Sequence, residues 1–165
     1  MIEEAVRKYS DMIYRLALAK TGNPHDAEDL MQEVFLKLVT YGKTFNDEEH
    51  RKAWLIRVTI NSGKNLMRKA SLTKMPSTEE ICEFVGIEDK SFSHIENKTV
   101  VFPVVMALDE KYRVVIHLFY YEDMPITEIC KTTGLGQSTV KSRLHRARNI
   151  LREKLKEVGF NEYEF

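Results

Sequence analysis

Residues 125–148 read PITEICKTTGLGQSTVKSRLHRAR. Pro125 can open a helix at no cost in hydrogen bonds, so a short helix is expected from Ile126 to Thr133, and Gly134 supplies the positive-φ residue that ends it. A second, longer helix then runs from about Ser138 to Lys156, with Val140, Leu144, Ala147, Leu151 and Leu155 recurring at three- and four-residue steps. A short helix, a glycine turn and a second helix seated by a β-branched valine have the spacing of a helix-turn-helix, in which the small Cys130 lets the two helices cross closely. The face turned away from the apolar stripe carries Ser138, Lys141, Ser142, His145 and Arg146, with Arg143 and Arg148 on the flanks. Short polar side chains can approach base edges while Lys and Arg reach guanine or phosphate, which suits major-groove insertion. An isolated basic helix would read as a solvated face; the preceding helix and turn at matching offsets weigh against that here.

Upstream the periodicity is helical nearly throughout. Val6, Tyr9, Met12, Ile13, Leu16 and Ala17 mark one face of a helix over 2–20. Gly22 ends it, Asn23 caps the next and Pro24 takes that helix's first position. The second helix has a buried stripe of Ala27, Leu30, Met31, Val34, Phe35 and Leu38, and an opposite face of Asp26, Asp29, Gln32 and Glu33. Residues 41–50 read as a loop, and a third helix is expected from Arg51 to about Lys69. Residues 71–99, with Pro76, Gly86 and many acids, lack a sustained period beyond one short turn at Ile81, Phe84, Val85 and Ile87. Asp109 is the expected N-cap of a helix whose stripe is Tyr112, Val115, Ile116, Phe119 and Tyr120. The expected fold is all-α: two small helical lobes, 1–72 and 103–165, joined by a flexible acidic linker over 73–102, the C-terminal lobe being the helix-turn-helix.

The 165 residues carry 25 basic and 25 acidic side chains, a formal net charge of zero. Counted by segment, that zero resolves into +7 over residues 51–75 and +6 over 137–156, set among acidic stretches of −4 over 1–50, −6 over 76–110 and −3 over 157–165. Two short basic blocks in acidic surroundings suit two separate contacts with a polyanion. The longest apolar run, Val100 to Leu108, contains Pro103 and is about half the length of a membrane span. No basic start leads into an apolar stretch, so neither a signal peptide nor membrane insertion is expected, and the location expected is cytoplasmic. Cys82 and Cys130 lie far apart without a CxxC pattern, which gives no basis for a disulfide framework, a structural metal or any other cofactor.

The first basic block mixes its charges with Trp54 and a row of amides. Asn61, Asn65 and Arg68 fall at four- and three-residue steps and share a helix face, with Lys64 beside them. Amides, bases and a nearby aromatic are the equipment for unstacked nucleotides, whose edges accept hydrogen bonds and whose faces stack. Trp54 alone fits a core position equally well. The acidic face of the second helix fits a solvated surface or a protein-binding one better than a metal site, because His25 is its only neighbouring ligand type.

Three strings together carry a family resemblance. Asp26-Ala27-Glu28-Asp29-Leu30-Met31-Gln32-Glu33-Val34-Phe35-Leu36, then Trp54-Leu55 with Asn61 and Arg68, then Thr139-Val140-Lys141-Ser142-Arg143-Leu144-His145-Arg146-Ala147-Arg148 resemble bacterial RNA polymerase sigma factors. The short length, with no substantial domain between the lobes, is similar to the extracytoplasmic-function group of the sigma-70 family. The resemblance implies a non-enzymatic initiation factor that binds core RNA polymerase and directs it to promoter DNA. It implies that Asp26, Asp29, Gln32 and Glu33 dock on the clamp helices of the polymerase's largest subunit, with the C-terminal lobe on the flap. It implies that the block from Arg51 to Lys69 helps melt the minus-10 element and hold its non-template strand through Trp54, Asn61, Lys64, Asn65 and Arg68. Phe45 lies in the loop where relatives capture a flipped base. By the same resemblance the minus-35 duplex is read by Ser138, Thr139, Lys141, Ser142, His145 and Arg146, with Arg143 and Arg148 nearer phosphates. An anti-sigma factor is an expected partner. Many relatives have an acid where this chain has Asn65, and alanine is commoner at Cys130.

Two other readings follow from the same residues. One is a helix-turn-helix regulator that acts without polymerase. The other is a metal-dependent nuclease using Asp26, Asp29 and Glu33, which the placement of all three carboxylates on a single helix disfavours.

Overall fold

The computed structural model describes residues 2–70 and 98–159, and every regular element among them is a helix. Most of the expected linker, the turn at Ile81–Ile87 and Cys82 lie outside the described residues.

Helix α1 spans Ile2–Thr21 and buries Tyr9, Ile13, Leu16 and Ala17 of the expected stripe together with Ala5, while Val6 and Met12 are half-buried. Gly22 takes φ +72° and its N–H returns to the Leu18 carbonyl at 2.8 Å, closing the helix. Asn23 then caps α2 (Pro24–Thr40), its side-chain oxygen accepting from the His25 and Asp26 amides at 2.8 and 3.3 Å. Ala27, Leu30, Val34 and Leu38 are buried, while Met31 and Phe35 sit half-buried at the edge of the stripe.

Helix α3 spans Glu48–Ala70 and so begins three residues ahead of the expected Arg51. The reason is a local cap: Asp47 accepts the His50 amide on its side chain at 2.7 Å and the Arg51 amide on its carbonyl at 3.2 Å. Glu48 and Glu49 in the first turn also favour the helix dipole.

In the C-terminal half, α4 (Lys98–Met106) runs through Pro103, so helix starts ahead of the proline and inside the expected linker. Helix α5 (Glu110–Ile116) begins at Asp109 as expected, but the Asp109 side chain makes no cap. Its carbonyl instead accepts from Tyr112 and Arg113 at 2.9 and 3.0 Å. The expected single stripe to Tyr120 is interrupted, because α5 passes into a π-helical turn at His117–Tyr121. That wider turn keeps His117 and Leu118 buried while Tyr120 faces out. Asp123, at φ +50°, turns the chain into α6 (Ile126–Thr133), which Gly134 ends in the left-handed conformation at φ +76°. Helix α7 spans Gln137–Glu157 and buries Val140, Leu144, Ala147 and Leu155.

One apolar core is built from α1, α2 and the start of α3 around Ile13, Leu30, Val34 and Leu55, with Met106 of α4 buried in it. A second core crosses between the lobes: Leu16, Ile56 and Ile60 of α1 and α3 join Val115, Leu118, Ile129, Val140 and Leu144. Each such side chain, fully buried, contributes about 1.5–3 kcal/mol. The described lobes therefore pack on one another, α5 against α1 and α6 against α3.

Candidate nucleic-acid interface

The face of α7 turned away from its apolar stripe is open to solvent. Val140, Leu144 and Ala147 are inaccessible, which fixes the helix rotation and leaves Ser138, Thr139, Lys141, Ser142, His145, Arg146 and Arg148 exposed. Arg143 is half-buried on the flank. From Ser138 to Arg148 the face rises about 15 Å, the length of helix a groove can take in one pass. Two of its members are already engaged. Arg148 donates from Nε to the Tyr120 hydroxyl at 2.7 Å, and its guanidinium lies 5.4 Å from the Phe119 ring centroid and 5.6 Å from that of Tyr120. His145 Nε2 is 3.2 Å from Asn149 Nδ2. Cys130, a free thiol, is half-buried beside the fully buried Ile129 rather than sealed between the helices.

In the N-terminal lobe, Asn61 and Lys64 are exposed on α3, while Ser62 is buried and accepts from Lys37 Nζ at 2.7 Å. The side chains of Asn65 and Arg68 lie outside the described part of α3. Phe45 and Trp54 come together in an aromatic corner that the sequence reading only half assembled. Tyr41 stacks on Phe45 with centroids 5.0 Å apart and planes 13° off parallel, and leans on Trp54 at 4.6 Å. Phe45 meets Trp54 edge-on at 5.6 Å and His50 at 5.5 Å, with the Arg51 guanidinium 5.6 Å above its ring. Tyr41 was missed as a member, and His50 and Arg51, which bound the expected base-capture loop and minus-10 block, were not expected to meet the Phe45 ring. Their signal is aromatic and cationic density within residues 41–54, which periodicity does not register. Behind this corner Tyr9 donates to the Glu48 carboxylate, which also meets Lys8 at 3.4 Å and Arg51 at 3.6 Å. Burial and that carboxylate hold the Tyr9 hydroxyl well above the usual tyrosine range.

The α2 face carries Asp29 and Gln32 exposed, with Asp26 and Glu33 partly so. Glu33 pairs with Lys37 at 2.6 Å. The same face continues into apolar residues that were missed: Leu36 is 66% exposed and Val39 54%. Both fall off the Ala27–Leu38 stripe, so their outward position was legible in the spacing. Large aliphatics beside a row of carboxylates and amides make a mixed surface of the kind proteins bind, because apolar atoms gain by leaving water while the charges fix register.

Among the described residues no three His, Cys, Asp or Glu side chains converge as a metal site would require, and no helix is long and apolar enough to cross a membrane.

Two family models match the chain: sigma-70 region 2 over residues 5–73 and sigma-70 region 4 over 104–151. The RNA polymerase sigma-E factor of Streptomyces coelicolor is 35% identical over 155 residues, covering 93% of this chain and 85% of that protein. The ECF RNA polymerase sigma factor SigW of Bacillus subtilis is 30% identical over 162 residues, covering 91% of this chain and 86% of SigW. ECF sigma factor SigE of Mycolicibacterium smegmatis is 32% identical over 157 residues, and there the match spans 61% of the longer relative. Among solved structures, the sigma factor RpoE of Bartonella quintana, in complex with the anti-sigma factor NepR, superimposes with a TM-score of 0.70 at 23% identity over 93% of this chain.

Proposed function

The chain belongs to the sigma-70 family of RNA polymerase sigma factors, in its extracytoplasmic-function group, and we propose that its three exposed faces divide the work of promoter recognition. It binds core RNA polymerase and directs initiation at promoters with minus-10 and minus-35 elements. The observation that carries the division is the contrast among the faces: a polar-basic helix backed by a fully buried stripe, an aromatic corner with Asn61 and Lys64 exposed farther along α3, and an acid-plus-aliphatic face.

On α7, Ser138, Thr139, Lys141, Ser142, His145 and Arg146 read the minus-35 duplex. A helix held rigidly by Val140, Leu144 and Ala147 can place them against base edges, and a bidentate contact there discriminates by about 1–3 kcal/mol. Arg143 and Arg148 lie at the margins and serve phosphates; the Tyr120 hydroxyl and the rings beneath Arg148 limit its rotamers before DNA arrives.

Asn61, Lys64, Asn65 and Arg68 hold the melted minus-10 strand, with Phe45 and Trp54 supplying ring faces for stacking, worth about 1–3 kcal/mol per base. Asp26, Asp29, Gln32 and Glu33, with Leu36 and Val39, dock on the polymerase clamp. No catalytic residue is assigned to the factor itself, and it acts in the cytoplasm, where an anti-sigma partner restrains it. Family models over both halves of the chain support this reading over a regulator that dispenses with polymerase.

The test is run-off transcription with core polymerase across a promoter library. Transcripts are expected only when the chain is added, and only from templates sharing two short elements, one for each lobe. Transcripts independent of the chain, or none at all, would overturn it.

A further inference from the structure

Tyr120 is turned outward by a break in its own helix. It lies one turn after the buried Ile116, so an uninterrupted α-helix would carry it onto the same inward face. The π-helical turn at His117–Tyr121 intervenes, closed by the Glu122 N–H on the His117 carbonyl at 3.2 Å. Tyr120 is thereby lifted out of the core and stands 51% exposed. Turns of this kind are rare and concentrate at functional sites.

What Tyr120 meets outside the core is Arg148 of α7. The guanidinium donates from Nε to the Tyr120 hydroxyl at 2.7 Å and lies 5.4 Å from the Phe119 centroid and 5.6 Å from that of Tyr120. Those two rings are 5.0 Å apart and set at 76° to each other. Two crossed rings and a hydroxyl make a corner that orients a planar cation without neutralising it. Lys8, Lys20 and Lys52, by contrast, each meet a carboxylate of another element. Among the described residues no carboxylate pairs with Arg148, which is exposed and keeps its Nη donors.

Hydrogen-bond accounting points outward as well. The Tyr120 oxygen accepts from Arg148, so its own O–H is left to donate, and among the described residues no acceptor takes it. A hydroxyl that accepts from a cation is polarised into a better donor. The corner therefore presents an O–H and neighbouring Nη–H groups around one uncompensated positive charge. A phosphate, with its negative charge and its several acceptor oxygens, is the complement of that arrangement.

The position on α7 decides which phosphate. Arg143 and Arg148 fall about 140° apart around the helix axis, on either side of the face carrying Ser142, His145 and Arg146. A helix lying in a major groove has a sugar-phosphate strand along each flank. On the duplex reading of α7 proposed above, on which this inference rests, Tyr120 stands at one of those strands.

We propose that Tyr120 and Arg148 form a single phosphodiester site at the edge of the minus-35 duplex. The Tyr120 O–H donates to one phosphate oxygen, while its oxygen holds the guanidinium so that Nη donates to the same phosphate. The π turn is the device that brings a residue of the preceding helix to the DNA backbone. The site fixes the register of α7 in the groove and carries no base preference.

The experiment uses holoenzyme and promoter duplexes in which one backbone phosphate near the minus-35 element is replaced by an uncharged methylphosphonate, scanned position by position, with affinity read by competition. At one phosphate on the Arg148 flank the parent should lose affinity about three- to tenfold, the size of a surface hydrogen bond to a charged group. Tyr120→Phe keeps the ring beneath the cation and removes only the O–H. It should bind the unmodified duplex about three- to tenfold less tightly, and it should no longer sense the methylphosphonate at that phosphate while still sensing the others. Arg148→Ala should erase the same position, and base preference should be unchanged in both variants. A general loss of packing would weaken binding without erasing one position of the phosphate map. Parent affinity with an unchanged map in Tyr120→Phe would overturn the site, and so would Tyr120→Phe and Arg148→Ala erasing different phosphates. A parent holoenzyme indifferent to every phosphate and base pair of the minus-35 element would instead overturn the duplex reading, and this site with it.

Discussion

The two DNA faces differ in how much of their contact surface is already spent inside the protein. On α7 the side chains of Ser138, Thr139, Lys141, Ser142 and Arg146 stand exposed on a helix whose reverse face is sealed. At the aromatic corner Phe45 is engaged by Tyr41, Trp54, His50 and Arg51 at once. A duplex reader meets a groove of fixed shape, so pre-formed rigidity costs nothing further at binding. A melted strand must be met by ring faces, and here those faces are turned on each other until a base displaces one. On the reading proposed above, one lobe recognises by fit and the other by exchange of stacking partners, so perturbations should separate them.

The largest separation should come from charge reversal on α2. Asp29→Lys with Glu33→Lys is expected to reduce polymerase binding by more than about a hundredfold, as like charges now face the clamp. Duplex binding by the same protein should persist, which filter binding against a promoter duplex would check.

Next in size, Leu144→Ala should cost about 2–5 kcal/mol in the C-terminal lobe, because the side chain is 1% exposed and packed surroundings relax only partly into such a cavity. Trp54 is the single tryptophan of the chain, so its fluorescence reports the N-terminal corner. Urea unfolding followed at Trp54 should change less than unfolding followed by circular dichroism.

Arg146→Ala should cost about 1–3 kcal/mol at the preferred minus-35 duplex and little elsewhere, as competition binding with altered base pairs would show; a uniform loss would make it a phosphate contact. The smallest effect expected is a pH dependence. Burial alone would raise the Glu122 carboxyl, but His117 and Lys52 outweigh it and hold it below the usual glutamate value of 4.5. A depressed native pKa means its stabilisation is fully present above the unfolded value and is lost as pH falls through the folded one. Glu122→Gln should therefore flatten the acid limb of thermal stability as pH falls below the usual glutamate value.

Local chemistry accounts for what was legible in the sequence. Pro125 and Gly134 bounded α6 to the residue, and Gly22-Asn23-Pro24 marked a stop and a start, because each of those side chains or its absence sets a backbone angle by itself. The α7 face was legible because Val140, Leu144 and Ala147 fix rotation. What was not legible depends on residues distant in sequence. The π turn at His117–Tyr121 shifts phase within one continuous apolar run. Arg148 on Tyr120 joins residues 28 apart, and Lys20 with Glu110 joins residues 90 apart. Leu36 and Val39 were visible as off-stripe residues, yet the acids beside them drew the reading.

The central claim is that one lobe reads duplex and the other reads melted strand. Permanganate reactivity of minus-10 thymines, measured together with nuclease protection of the minus-35 element, tests it most directly in holoenzymes carrying Arg146→Ala or Asn61→Ala. The account predicts that Arg146→Ala loses minus-35 protection while each bound complex still opens, and that Asn61→Ala keeps protection while opening falls. Loss of both signals together in either variant would contradict it.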